Sequence, residues 1–163
     1  MAAKTDSTGR ALEREFIQDF GEAYQHFGLP RLMGRIVALL LQEDGPVSLD
    51  DIASRLRVSK GPVSQVVRRL HDRGLVEKVW VPGDRRHFYE ATDDIFGRAF
   101  TTHTKKLESN LVLARRFVAR TTENPDATSP HFRSRLAEME RFYGMMSRHL
   151  NAFLVEWRET RSS

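Results

Sequence analysis

Ser48-Leu49-Asp50-Asp51-Ile52-Ala53-Ser54-Arg55-Leu56, then Arg57-Val58, then Ser59-Lys60-Gly61-Pro62-Val63-Ser64-Gln65-Val66-Val67-Arg68-Arg69-Leu70, is the stretch that decides the fold. Leu49, Ile52, Ala53 and Leu56 recur at helical spacing, and Ser48 before them has the oxygen that an N-cap needs. Asp51 stands where a capping box places its acid, near the positive end of the helix dipole. Ser59 offers a second N-cap, and Val63, Val66, Val67 and Leu70 form a second apolar stripe. Gly74 suits the left-handed stop of that second helix. Two short helices joined through Arg57-Val58 can only cross sharply, which is the helix-turn-helix pattern.

The second helix turns a polar face outward. Gly61, Gln65 and Arg68 lie opposite the valine stripe, flanked by Ser59, Lys60, Ser64 and Arg69. Glutamine can pair with adenine at two positions, arginine with guanine, and glycine admits close backbone approach.

The next segment continues the pattern. Leu75-Val76-Glu77-Lys78-Val79-Trp80 reads as a strand, Val81-Pro82-Gly83-Asp84 as a turn, and Arg85-Arg86-His87-Phe88-Tyr89-Glu90 as the returning strand. Arg85 and Arg86 stand on the protruding tip, where a narrow minor groove would attract guanidinium groups. Asp84 beside them is expected to brace the tip, since it would repel phosphate. Between Arg55 and Tyr89 nine basic residues face three acidic ones, a net +6 in a chain whose total is +4. Positive charge is therefore concentrated on the groove-reading elements, as a phosphate-binding footprint requires.

Val58-Ser59-Lys60-Gly61-Pro62-Val63-Ser64, Leu70 to Val76, and Gly83-Asp84-Arg85-Arg86 with Tyr89 resemble the winged helix-turn-helix of MarR-like transcriptional regulators. The chain is most similar to the glycine-betaine-synthesis-repressor-like branch. That branch shares the preceding pattern, here Gly28-Leu29-Pro30-Arg31-Leu32-Met33-Gly34-Arg35-Ile36. Where typical members continue past the wing with Leu-Thr, this chain has Ala91-Thr92. The resemblance implies a regulator, most often a repressor, released from DNA by a small molecule. It also implies an apolar cleft between arm and reader, for which Phe20, Tyr24, Phe27, Met139 and Tyr143 are the candidates. The effector would be small and apolar or osmolyte-like.

Outside the reader the chain is helical arm. Residues 1–9 are small and polar and are expected to be disordered. Residues 10–28 form a first dimerisation helix, with Leu12, Phe16, Phe20, Tyr24 and Phe27 on one stripe. Residues 30–92 form the DNA-binding domain, and residues 93–160 a C-terminal helical arm interrupted by a loop over 121–130. In that arm Phe132, Leu136, Met139, Tyr143, Met146, Leu150, Phe153 and Trp157 alternate steps of four and three. This is the spacing of a seam along which one helix packs on another. Leu12, Phe16, Leu136, Tyr143, Met146, Leu150, Phe153 and Trp157 are accordingly the candidate homodimer interface. A dimer would set two recognition helices about 34 Å apart, one turn of DNA, to read a palindrome. The expected fold class is mainly α with a small antiparallel β-hairpin: a winged helix-turn-helix between N- and C-terminal dimerisation helices.

Other chemistries find little support. The chain has no cysteine, which excludes disulfides and thiolate metal sites. Its six histidines are scattered without ligand spacing, and no phosphate-cradling glycine loop or nucleophile elbow occurs. No enzyme, cofactor or metal is expected. The longest apolar run, Ile36–Leu41, is too short to span a bilayer, so no membrane partner and a cytoplasmic location are expected. The competing function is a winged-helix module whose basic hairpin meets an acidic protein instead of double-stranded DNA.

Overall fold

The computed structural model describes residues 2–162. The elements in chain order are α1 (Ala2–His26), α2 (Arg31–Leu41), β1 (Val47–Ser48), α3 (Leu49–Leu56), α4 (Lys60–Asp72), β2 (Val76–Val79), β3 (Phe88–Ala91), α5 (Ile95–Glu123), a short 3-10 turn (Pro125–Ala127) and α6 (Pro130–Ser162). They fall into two compact units, Met1–Ile95 and Phe96–Ser163.

The start of the chain departs from the expectation. Residues from Ala2 onward are helical, where disorder over 1–9 was expected. Ala2, Ala3 and Lys4 favour helix, and no proline interrupts the run before Pro30. Met1 lies outside the described residues. The loop expected over 121–130 is shorter too, because α5 continues to Glu123 and the 3-10 turn takes Pro125 at its start.

In the first unit α2 is the central element. Met33, Gly34 and Ile36 to Leu40 are all buried, so this helix is apolar nearly all round. α1 crosses it closely, and two glycines permit the approach. A Cβ on Gly34 would lie 2.6 Å from the Phe20 carbonyl oxygen and 2.9 Å from the Tyr24 Cβ. A Cβ on Gly21 would lie 2.7 Å from the Arg35 Cγ. Around α2 gather Ile17 of α1, Ile52 and Leu56 of α3, Val63, Val67 and Leu70 of α4, and Val76 and Phe88 of the sheet.

The sheet has three antiparallel strands in the order β1-β3-β2, one more than the hairpin read from sequence. β1 pairs Val47 with Tyr89 and Ser48 with Phe88, while β2 pairs Val76 with Ala91 and Val79 with Phe88. A two-residue strand has no alternation to detect, so it is invisible until its partner is placed. Thr92 closes the sheet: its backbone N–H donates to the Leu75 carbonyl at 3.1 Å, and its buried hydroxyl reaches the Gly74 and Leu75 carbonyls at 3.3 Å.

In the second unit α5 and α6 run antiparallel. Phe100 meets Phe153 with ring centroids 4.8 Å apart, Leu111 lies beside Gly144, and Arg115 is 3.5 Å from Glu140. Contacts that advance along α5 thus retreat along α6. Leu111, Ala114, Leu136 and Leu154 are buried there.

Candidate nucleic-acid interface

The turn between α3 and α4 sets the angle of the reading helix. Arg57 takes the left-handed conformation, φ 54°, with no glycine to ease it. The Val58 N–H donates to the Ala53 carbonyl at 3.0 Å and the Arg57 N–H to the Ser54 carbonyl at 3.1 Å. These are the two bonds of a Schellman end. Arg35, reaching across from α2, donates to the Leu56 carbonyl at 2.8 Å. Burial, with Arg31 nearby, holds its guanidinium pKa below the ordinary arginine value. The Ala53, Ser54 and Leu56 carbonyls at the end of α3 are thereby satisfied, and α4 can start at once.

The two helix starts differ. At α3 the Ser48 hydroxyl accepts from the Asp51 N–H at 3.1 Å and donates to the Asp51 carboxylate. The acid binds the serine hydroxyl instead of returning to the Ser48 backbone N–H. At α4 Ser59 has the extended N-cap backbone but its side chain makes no cap bond, contrary to expectation. Pro62 occupies the third helical position, so one of the two N–H groups that an N-cap oxygen serves does not exist. Gly74 ends the α4 turn with φ 68°, as its sequence position indicates.

On α4 the valine stripe and Leu70 are buried, and Ser59, Lys60, Gly61, Gln65, Arg68 and Arg69 are exposed, with Ser64 half-buried. Lys60 is engaged by Asp50 of α3, with Nζ 2.7 Å from the carboxylate. Among the described residues, Gln65, Arg68 and Arg69 make no side-chain hydrogen bond or ion pair, so their groups stand free on the outer face.

The wing separates its two arginines. The Asp84 carboxylate accepts from the Arg86 guanidinium at 2.7 and 2.9 Å and from the Arg86 backbone N–H at 2.9 Å. Arg86 also lies 3.5 Å from Asp51, 3.4 Å from the Ser48 hydroxyl and over the Phe88 ring at 5.2 Å. It ties the wing tip to the start of α3. The guanidinium hydrogen bonds hold the Asp84 carboxyl below the usual carboxylate range and push the Arg86 pKa up. Arg85 is exposed and has no such tie. Sequence treats the two as equivalent; the geometry makes Arg86 a brace and Arg85 the free cation.

Two exposed residues of the wing are not singled out by the sequence pattern. Trp80 is 76% exposed, and Lys78 on β2 is exposed beside it. With Val79, Asp84, Arg85, Arg86 and His87 they line an open cleft of about 480 Å³. A bulky aromatic beside cations was the available signal, masked because alternation alone assigns it to a strand.

The candidate effector residues divide between the two units. Phe20 and Tyr24 are half-buried with rings 5.2 Å apart, packed where α1 crosses Gly34. Burial raises the Tyr24 pKa, opposed by the Arg73 charge. Phe27 is 76% exposed. Met139 and Tyr143 lie half-buried on α6. Of the candidate interface residues, Leu136 is buried within its unit, and Tyr143, Met146, Leu150 and Trp157 are half-buried. Leu12, Phe16 and Phe153 are exposed, as are Phe132, Phe142 and Met145. No group of three or more potential metal ligands occurs among the described residues, and no helix is long and apolar enough to cross a membrane.

Residues 27–87 match the family model described as the MarR family. The chain is 32% identical over 84 residues to the putative HTH-type transcriptional regulator YvaV of Bacillus subtilis, covering 52% of this chain and 48% of that protein. It is 29% identical over 80 residues to the HTH-type transcriptional repressor GbsR of the same organism, covering 49% and 44%. The chain spans about half the length of these curated relatives. A crystal structure of a transcriptional regulator superposes with a TM-score of 0.72 at 24% identity, over 90% of this chain and 98% of that one. That likeness shows a shared fold along nearly the whole chain, arms included.

Proposed function

We propose that the chain is a member of the MarR family, whose model its residues 27–87 match, and that it is a sequence-specific DNA-binding regulator, working as a repressor, that acts as a homodimer on a palindromic operator. One observation carries the reading: Arg68, Arg69 and Arg85 stand exposed and unpaired on the outer helix face and the wing, while Arg86 is held to the protein by Asp84. An unpaired guanidinium on a rigid element is ready to meet a base edge or a phosphate without first breaking a bond to the protein.

In this mechanism α4 lies in the major groove, where Gln65 and Arg68 read base edges and Ser59, Lys60, Ser64 and Arg69 meet phosphates. Gly61 leaves the helix start uncovered for close approach. Lys60 must exchange Asp50 for a phosphate as it does so. Arg85 enters the adjacent minor groove from a wing tip stiffened by Arg86. The dimer is supported by the apolar side chains exposed on α1 and α6, which a second copy would cover. A small apolar or osmolyte-like effector would release DNA by binding better to a dimer whose recognition helices are wrongly spaced.

The test is binding of the purified protein to the duplex upstream of its own coding sequence and to a scrambled duplex, at roughly 0.15 M salt. Preference for the native duplex by about 10³ or more is expected for a specific regulator. Equal, weak and salt-sensitive binding to both would overturn the reading and favour an acidic protein partner for the basic face.

A further inference from the structure

Trp80 follows the last residue of β2, just beyond the closing pair Val79–Phe88, and opens the wing loop. It is 76% exposed, and among the described residues it makes no ring or cation contact. The aromatic support of the wing comes instead from Phe88, which is buried and carries the Arg86 guanidinium on its face. Nothing in the packing of the first unit therefore requires an indole at position 80. A side chain of this size left in water exposes apolar area that a partner would cover.

The surroundings of Trp80 define that partner. Its cleft is walled by Lys78, Arg85 and His87, and by Asp84, whose charge Arg86 already neutralises. What remains is one flat apolar ring between two free cations, Lys78 and Arg85, on the same protrusion. A strand of DNA backbone presents the complementary set. Its deoxyribose faces are apolar, and its phosphates repeat on either side of each sugar. An acidic peptide would match the cations but has no regularly placed apolar face to cover the ring.

We propose that Trp80 contacts DNA, packing its indole face on a deoxyribose at the edge of the groove that Arg85 enters, with Lys78 on the flanking phosphate. The contact rests on the DNA-binding reading above and extends the footprint along the outer side of the wing. It adds affinity without base discrimination, because every nucleotide offers the same sugar.

The experiment uses a Trp157→Phe protein, in which Trp80 is the single remaining tryptophan of the two in the chain. Its emission is followed during titration with the upstream duplex, and the anisotropy of a labelled duplex reports binding independently. Trp80 emission should change in parallel with anisotropy, and bound DNA should shield the ring from acrylamide. Trp80→Ala should bind about tenfold more weakly on every sequence, through loss of one covered aromatic face, with an unchanged salt slope. Trp80→Phe should recover most of the affinity, and Lys78→Ala should lower the salt slope by about one. Normal anisotropy with unaltered Trp80 emission and full affinity of Trp80→Ala would overturn the contact and leave the DNA reading standing. Absence of any anisotropy change with the unsubstituted protein, which keeps Trp157 at the candidate dimer interface, would overturn both.

Discussion

Asp84 and Arg86 form a closed pair two residues apart, with the guanidinium Nη2 2.7 Å from Asp84 Oδ2 and the Arg86 backbone N–H 2.9 Å from Oδ1. The pair forms a small ring that fixes the wing tip. The carboxyl titrates below its unfolded value of about 3.9. A depressed folded pKa contributes stability that is full above the unfolded value and is lost as pH falls through the folded one. The wing brace should thus persist at neutral and mildly acidic pH and loosen only below about pH 4. An NMR titration of the Asp84 carboxyl checks this; a midpoint at or above the free value would show that the pair does not form in solution.

The same pair predicts that the two wing arginines behave differently. Arg85→Ala should weaken DNA binding and reduce the salt slope by about one, as expected for a cation that displaces a counterion. Arg86→Ala should weaken binding by leaving the Asp84 and Asp51 charges unopposed near the phosphates, and removing Asp84 as well should restore part of the loss. Salt titrations of the three proteins decide it. Identical behaviour of the two single variants would mean that the brace is not maintained on DNA.

On α4 the free guanidinium of Arg68 is placed to read one base. Arg68→Ala should cost about 1–3 kcal/mol and relax discrimination at a single operator position. Competition with duplexes substituted base by base measures this, and an equal loss on all of them would assign Arg68 to phosphate.

Gly34→Ala tests the crossing of the first two helices. The added methyl would sit 2.6 Å from a backbone oxygen of α1, which cannot rotate away. Separation of α1 from α2 should cost about 1–3 kcal/mol, as other forced overpacking does. Urea denaturation gives the value, and a loss below about 0.5 kcal/mol would mean that the crossing is looser than described.

For the dimer, the exposed positions of α6 are more informative than the buried ones. Phe142 is 52% exposed, so a charge there should disturb the second unit little while blocking a second copy. Phe142→Glu should sediment as a monomer with its helix content unchanged; intact dimers would remove this face of α6 from the interface.

Much of the reader was legible before folding. Ile52, Leu56, Val63, Val67 and Leu70 are buried at the positions their spacing assigned, and Gly74 adopts the left-handed conformation that its place at a helix end requires. Local rules sufficed there because helix periodicity and capping are decided within a few residues of chain. Three features escaped. β1 is too short to have a period; the Arg57 turn lacks the glycine that would advertise a positive φ; and the N-cap role of Ser59 goes unfilled, with a proline three residues away. On the arms, the α6 seam gave the helix and its apolar residues but not which would be covered, since Leu136 and Leu154 are buried while Phe142 and Phe153 are exposed.

The sequence by itself determined the reader's helices and hairpin, their order and the concentration of positive charge on α4 and the wing, because these follow from side-chain periodicity and from residue identity. Only the tertiary structure decided which of those charges are free. Arg85 and Arg86 are chemically identical neighbours, and both are exposed. Yet one is bound by Asp84, Ser48, Asp51 and Phe88, and the other extends toward solvent. Ser48 and Asp51 lie far back in the chain and reach the wing because β1 pairs with β3. A contact that joins distant parts of the chain depends on that pairing and on the core beneath it, and no local pattern records it.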